Sequence, residues 1–229
     1  MFVGIPSPVS DLEFLMRPRM EVQQRSHQAV VSPLLDVSKN VIAQGFSRWK
    51  DLVDIPPSIN MGLSSARPRT MIQILGVPGA LSRNCSPVTN PKVKALLVTQ
   101  DLGPGAFKVT GLKPAVAALQ RIFAKVKQEK PDLYQQIGTA GMLCCRRIRG
   151  GSNFSNHSWG TAIDLKISSE LDAVGDGKTQ RGLVELASYF HQEGFFWGAG
   201  FKGRGREDSM HFEVSEQLIK RWHAQGLLN

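Results

Sequence analysis

No run of about 18 consecutive apolar residues occurs in this 229-residue chain, so a membrane-spanning helix is not expected. The opening stretch, MFVGIPSPVSDLEFLMRPRM, lacks a basic start followed by an unbroken apolar core, so no secretory signal is visible. A substrate outside the cytoplasm would then be reached through lysis or dedicated export. Cysteine is scarce, with only Cys85, Cys144 and Cys145. An odd count with two adjacent members makes a poor disulfide framework, and neighbours on a strand point to opposite faces. A thiolate zinc site would need two pairs at short fixed spacing, and these are absent. The three cysteines are therefore expected as small apolar side chains. Internal repeats and low-complexity tracts are also missing.

What is present is ordinary for a globular chain: 41% hydrophobic and 21% charged residues. The length suits one domain of about 150 residues with an extension, or two small domains. The net charge of +9 is unevenly placed. Residues 1–68 hold seven Lys/Arg against six Asp/Glu, and residues 69–229 hold 21 against 13. A basic surface attracts nucleic acid, anionic lipid or an acidic polymer. No nucleic-acid motif accompanies the charge, so a nucleic-acid partner is not expected.

Residues 1–68 contain seven prolines and one persuasive helical pattern, Ile42, Phe46, Trp49 and Val53, ended by Pro56-Pro57. They read as an N-terminal extension of unknown role, and residues 69–229 as the main domain. There the spacing predicts a strand at Phe107–Thr110 and a helix from Pro114 to about Glu129. Strand-like runs follow at Met142–Ile148 and Thr161–Ile167, then a helix at about Gln180–Glu193 stopped by Gly194. A strand at Met210–Val214 and a last helix from near Ser215 to Gly226 complete the pattern. Elements mixed in this order imply an α+β fold, an antiparallel sheet flanked by helices.

Two segments hold the chemistry: Ser155-Asn156-His157-Ser158-Trp159-Gly160-Thr161-Ala162-Ile163-Asp164 and Asp208-Ser209-Met210-His211-Phe212-Glu213. On a strand, Ile163, Leu165 and Ile167 share one face while Asp164 takes the other. Likewise Phe212 and Val214 oppose His211 and Glu213. If the two strands lie in one sheet, Asp164 and His211 converge over its polar face. Gly160 lets the chain turn so that His157 folds back towards them. Two imidazoles and a carboxylate form a recurrent ligand set for catalytic zinc, which keeps a position for water. A general base is still needed, and Asp208, where the second strand begins, is the candidate. Glu213 reads as a supporting or solvated residue, and the loop at Asp172, Gly175, Asp176 and Gly177 as a turn and not a calcium site. His27, His191 and His223 have no supporting pattern.

The pattern S-x-H-x-x-G-x-A-x-D at Ser155–Asp164, with an acid three residues before a histidine at Asp208 and His211, resembles the motifs of the M15 family of zinc peptidases. That family includes D-alanyl-D-alanine carboxypeptidases and phage endolysins that cut between L-alanine and D-glutamate. The likeness spans about residues 70–222. Trp197-Gly198 also resembles a family feature, and Arg146 matches an arginine that steadies substrate. The resemblance implies one zinc ion held by His157, Asp164 and His211, Asp208 as base and then acid, and Arg146 and Ser155 as substrate contacts. It implies the stem peptide of peptidoglycan as substrate; a monomer with no stable membrane insertion is expected. Many relatives have Glu in place of Asp208 and the endolysin-like branch commonly has Asp, which favours an L-alanyl-D-glutamate endopeptidase over a D-alanyl-D-alanine carboxypeptidase. A non-catalytic wall-binding module on the same fold is the reading from another class. The basic residues Arg146, Arg147, Arg149, Lys202, Arg204 and Arg206 flank the two motifs and suit carboxylates of a stem peptide.

Overall fold

The computed structural model describes residues 48–105, 107–203 and 205–229. In chain order its strands are β1 (Leu52–Asp54), β2 (Leu97–Asp101), β3 (Lys108–Leu112), β4 (Ile137–Gly141), β5 (Ala162–Ile167), β6 (Lys178–Gln180), β7 (Phe195–Trp197) and β8 (His211–Val214). The helices are α1 (Pro68–Leu75), α2 (Pro91–Leu96), α3 (Lys113–Glu129), α4 (Pro131–Tyr134), α5 (Arg181–Gln192) and α6 (Glu216–Ala224). A four-stranded antiparallel sheet in the order β4-β5-β8-β7 is the frame, and β2-β3 and β1-β6 form separate two-stranded ladders. The fold is α+β, with helices against the apolar face of the sheet.

Each long helix follows from its sequence. In α3 the residues Val116, Leu119, Ile122, Phe123 and Val126 recur on one face and are buried, with proline in the first turn where its missing N–H costs nothing. The α5 stripe of Leu183, Leu186, Ala187 and Phe190 is buried in the same way. Ser215 caps α6 by accepting from the Leu218 N–H at 3.1 Å. Between helices and sheet, Phe190 packs on Phe123, Phe195 and Phe212, and Trp197 stacks parallel to Phe212 with centroids 5.9 Å apart. Ile163, Leu165, Ile167, Phe212 and Val214 are fully buried beneath these rings.

Several expectations change. Ile42 and Phe46 of the first helical pattern lie outside the described residues; residues 48–50 are helical, but Val53 is on β1, so the helix does not reach it. Met142–Ile148 is not a continuous strand; it is irregular chain held by bridges Ser86–Cys145 and Arg147–Phe154. The strand is just upstream, at β4, where the small residues of Ile-Gly-Thr-Ala-Gly gave no apolar alternation.

The cysteine reading is corrected as well. Cys85 and Cys144 form a disulfide with Cα atoms 5.0 Å apart, and only Cys145 remains a free, buried side chain. The partners are 59 residues apart and meet because residues 82–86 hydrogen-bond along 145–147: Ser86 N–H to Cys145 O and Arg147 N–H to Ser82 O, each 2.9 Å. Adjacent Cys144 and Cys145 point to opposite sides, one to the bridge and one to the core.

Residues 48–68 brace the body. The Asn60 side chain receives the Trp197 N–H at 2.7 Å and donates to the Trp197 carbonyl at 2.8 Å, so an amide side chain acts as the missing neighbour of edge strand β7. Glu216 accepts from the Arg67 N–H, the Arg67 guanidinium and the Thr70 hydroxyl at 2.7–3.0 Å.

Candidate metal centre

The register of β5 against β8 sets Asp164 directly opposite His211. Their side chains rise on the face away from the helices, with Asp164 Oδ1 3.0 Å from His211 Nδ1. His157 arrives from a 3₁₀ turn, Asn156–Trp159, that ends at Gly160 in a left-handed conformation (φ 64°). A Cβ at Gly160 would lie 2.7 Å from the Gly111 Cα, so the turn excludes any side chain there. Trp159 anchors the turn from below, fully buried and donating from Nε1 to the Gly76 carbonyl at 2.9 Å. The turn places His157 Nε2 3.1 Å from His211 Nδ1 and 3.2 Å from Asp164 Oδ1.

The three atoms thus form a triangle with edges of 3.0–3.2 Å. A tetrahedral ion with bonds of about 2.0–2.1 Å holds its ligands about 3.3 Å apart, so the triangle fits one face of such a shell. Hydrogen bonding gives the same answer. His157 Nδ1 lies 2.8 Å from the Met142 carbonyl, which can only accept, so this nitrogen carries the proton. With both imidazoles neutral, Nε2 of His157 and Nδ1 of His211 present lone pairs to each other and to a carboxylate oxygen. Three convergent lone pairs call for a cation. Against the desolvation that burial imposes, hydrogen bonds with Asp164 and Glu213 push His211 up to about 10, so the surroundings of the ring favour positive charge. Asp164 resists its own desolvation and is held well below the usual carboxylate range by His157 and His211.

Asp208 sits at the mouth of β8. Its backbone N–H donates to the Gly198 carbonyl at 3.0 Å, and its carbonyl accepts from the His211 N–H at 3.1 Å. Gly198 makes this possible, because a Cβ there would collide with the Asp208 carbonyl and stand 3.0 Å from His211 Cβ. Desolvation pushes the Asp208 carboxyl up; the His211 and His157 imidazoles oppose this, and Asp164 reinforces it. Its Oδ1 is buried without a hydrogen-bond partner among the described residues. A raised, partly free carboxyl beside a candidate metal site is suited to carrying a proton.

Arg146 is partly buried on the irregular segment that runs beside the 3₁₀ turn. The Ser158 hydroxyl ties its backbone at both N–H (3.0 Å) and carbonyl (2.9 Å), and the Ser155 N–H donates to the same carbonyl. Burial lowers the guanidinium from its usual value, with Arg149 adding to this and Asp164 and Asp208 opposing it. Ser155 itself is buried at the start of the turn, and its hydroxyl does not cap it. Arg204 lies outside the described residues. The acid-and-glycine loop is a turn, with the Lys178 N–H on Asp176 Oδ1 and the Gly177 N–H on Glu207 Oε1.

Sequence reading did not find Met142, whose carbonyl orients His157, since a backbone acceptor leaves no residue signature. Asp172 reads from sequence only as part of a turn; the structure shows a buried carboxyl that takes the Gln180 N–H at 2.9 Å and is pushed up to about 6 by desolvation.

Comparison with known proteins agrees with this geometry. Residues 149–214 match the M15 family model described as D-alanyl-D-alanine carboxypeptidase, which supports an M15 family peptidase. No curated protein matches the chain. The family match and the His157–Asp164–His211 cluster together support a zinc peptidase acting on peptidoglycan.

Proposed function

We propose that this M15-type chain is a zinc-dependent endopeptidase that hydrolyses a stem-peptide amide of peptidoglycan, most readily the L-alanyl-D-glutamate bond. The observation that carries the reading is the triangle of His157 Nε2, Asp164 Oδ1 and His211 Nδ1 with Asp208 beside it. Zinc bound there would lower the pKa of water to about 7 and polarise the scissile carbonyl. Asp208 is the proton carrier: its carboxylate takes a proton from the attacking water and returns it to the leaving amine. Arg146 is assigned to hold a substrate carboxylate, with Ser155 lining the same wall. Residues 69–229 are assigned the chemistry, and residues 1–68 remain an extension whose described part braces the sheet edge.

The Cys85–Cys144 disulfide accords with work in an oxidising space such as the cell wall compartment, since cytosolic thiols are kept reduced. No described helix is long and apolar enough to cross a membrane. A D-alanyl-D-alanine carboxypeptidase is the second reading, favoured by the description of the matching family model. Mass spectrometry of products from defined muropeptides separates them: the endopeptidase releases L-alanine-ended glycan, the carboxypeptidase a single D-alanine. The parent protein should hold one zinc per chain, and Asp208→Asn should keep it while losing on the order of 10²–10⁴ in rate. Full-rate digestion by metal-free protein, or by the Asp208 variant, would remove the basis of the mechanism.

A further inference from the structure

The two histidines of the cluster present different nitrogens to it, His157 through Nε2 and His211 through Nδ1. An imidazole can do this dependably only if its other nitrogen is held protonated. For His157 the holder is the Met142 carbonyl. For His211 it is Glu213, whose Oε2 lies 2.8 Å from His211 Nε2, on the side of the ring away from Asp164 and His157.

Glu213 is an expensive residue to keep where it is. It is only 3% exposed, on interior strand β8, paired with Ala162 on one side and Phe196 on the other. His211 is its hydrogen-bonding and ionic partner at that depth among the described residues; Asn156 and Ser65 lie near the carboxylate, whose Oε1 makes no hydrogen bond among the described residues. A buried carboxylate without strong compensation is costly, and an apolar side chain would suit the sheet better. Alternation along β8 explains how it reaches the ring, since residues 211 and 213 share a face. It also explains why Glu213 cannot join the cluster: the imidazole stands between.

We propose that Glu213 is a positioning residue that fixes His211 with its proton on Nε2, so that the Nδ1 lone pair is aimed at the metal. This rests on the reading of His157, Asp164 and His211 as a zinc site. With a cation on Nδ1, the carboxylate behind the ring is compensated, and the pair orients and strengthens the ligand.

Zinc affinity of the full chain, measured by chelator competition, tests it with Glu213→Ala and Glu213→Gln. Glutamine keeps an oxygen that accepts the Nε2–H; alanine does not. Alanine should weaken zinc binding about 10–100-fold, the usual effect of removing such a partner, and glutamine should restore most of it. Alanine binding as tightly as the parent, or glutamine as damaging as alanine, overturns the proposal. If alanine fails to fold, ¹⁵N–¹H correlation spectra of the zinc-loaded parent still decide: His211 must show a proton on Nε2 and metal on Nδ1, and the reverse assignment refutes it. A parent that binds no zinc would instead overturn the metal site itself, a separate failure.

Discussion

Opening the Cys85–Cys144 bridge should cost the protein about a quarter to four-fifths of an ordinary domain's stability. The perturbation is a Cys85→Ser/Cys144→Ser double variant. The bridge spans 59 residues of chain, and closing a loop of that length removes about 14 cal/mol/K from the unfolded ensemble, or about 4 kcal/mol at 25 °C. Native stability is about 5–15 kcal/mol in total, so the loss is large. For a chain of this size each kcal/mol moves the midpoint by about 2–4 °C, which predicts a drop of about 8–16 °C by scanning calorimetry. Few native contacts are lost, because Cys85 is exposed and the backbone pairing of residues 82–86 with 145–147 does not need the sulfurs. The Cys144 N–H also donates to the His157 carbonyl, and Met142 two residues earlier orients the ring, so loosening this segment should weaken zinc binding too. Parent and variant melting within about 2 °C of each other would refute the loop-entropy reasoning. So would three reactive thiols in denatured, unreduced parent, where Cys145 alone should react.

Other perturbations probe the groups around the site. Gly198→Ala should destabilise by about 1–3 kcal/mol, since its methyl meets the Asp208 carbonyl, and should lower peptidase rate more than zinc content; an active, equally stable variant would contradict this. Asp172 has a folded pKa raised to about 6 from 3.8, so its contribution is fully present below about 4 and lost as pH rises through 6. Asp172→Asn should therefore gain on the parent between pH 4 and 8, by at most about 3 kcal/mol, and a pH-independent difference in melting midpoint would count against the shift. Glu216 runs the other way: burial would raise its carboxyl, but Lys220, Arg67 and Thr70 hold it down to about 2. Its contribution is present above about 4.5 and lost as pH falls through 2. Arg67 and Lys220 are 72% and 55% exposed, so screening limits the loss in Glu216→Gln at pH 7 to about 1–2 kcal/mol. Denaturant midpoints that still differ at pH 2 would argue for packing over charge.

The candidate ligands were legible because their signals are local. His157, Gly160 and Asp164 lie within one turn-plus-strand, and Asp208 and His211 within one strand entry, so residue type and spacing carry the chemistry. Strand alternation was enough to put Asp164 and His211 on polar faces, and 3.6-residue periodicity was enough for α3 and α5. Each of those patterns depends only on neighbours in the chain.

What the sequence could not express is pairing between distant segments. The opposition of Asp164 to His211 is a register of β5 against β8, and nothing in either strand fixes it alone. Spacing does not announce the Cys85–Cys144 bridge, because its closure depends on residues 82–86 lying along 145–147. Strand β4 carries little signal of its own because Gly-Thr-Ala-Gly has little apolar alternation, and its partner β5 supplies the order. Sequence determined which side chains could bind a cation; tertiary structure decided which nitrogens face it. That choice is made by the Met142 carbonyl behind one ring and the Glu213 carboxylate behind the other, and a tautomer is a property of surroundings.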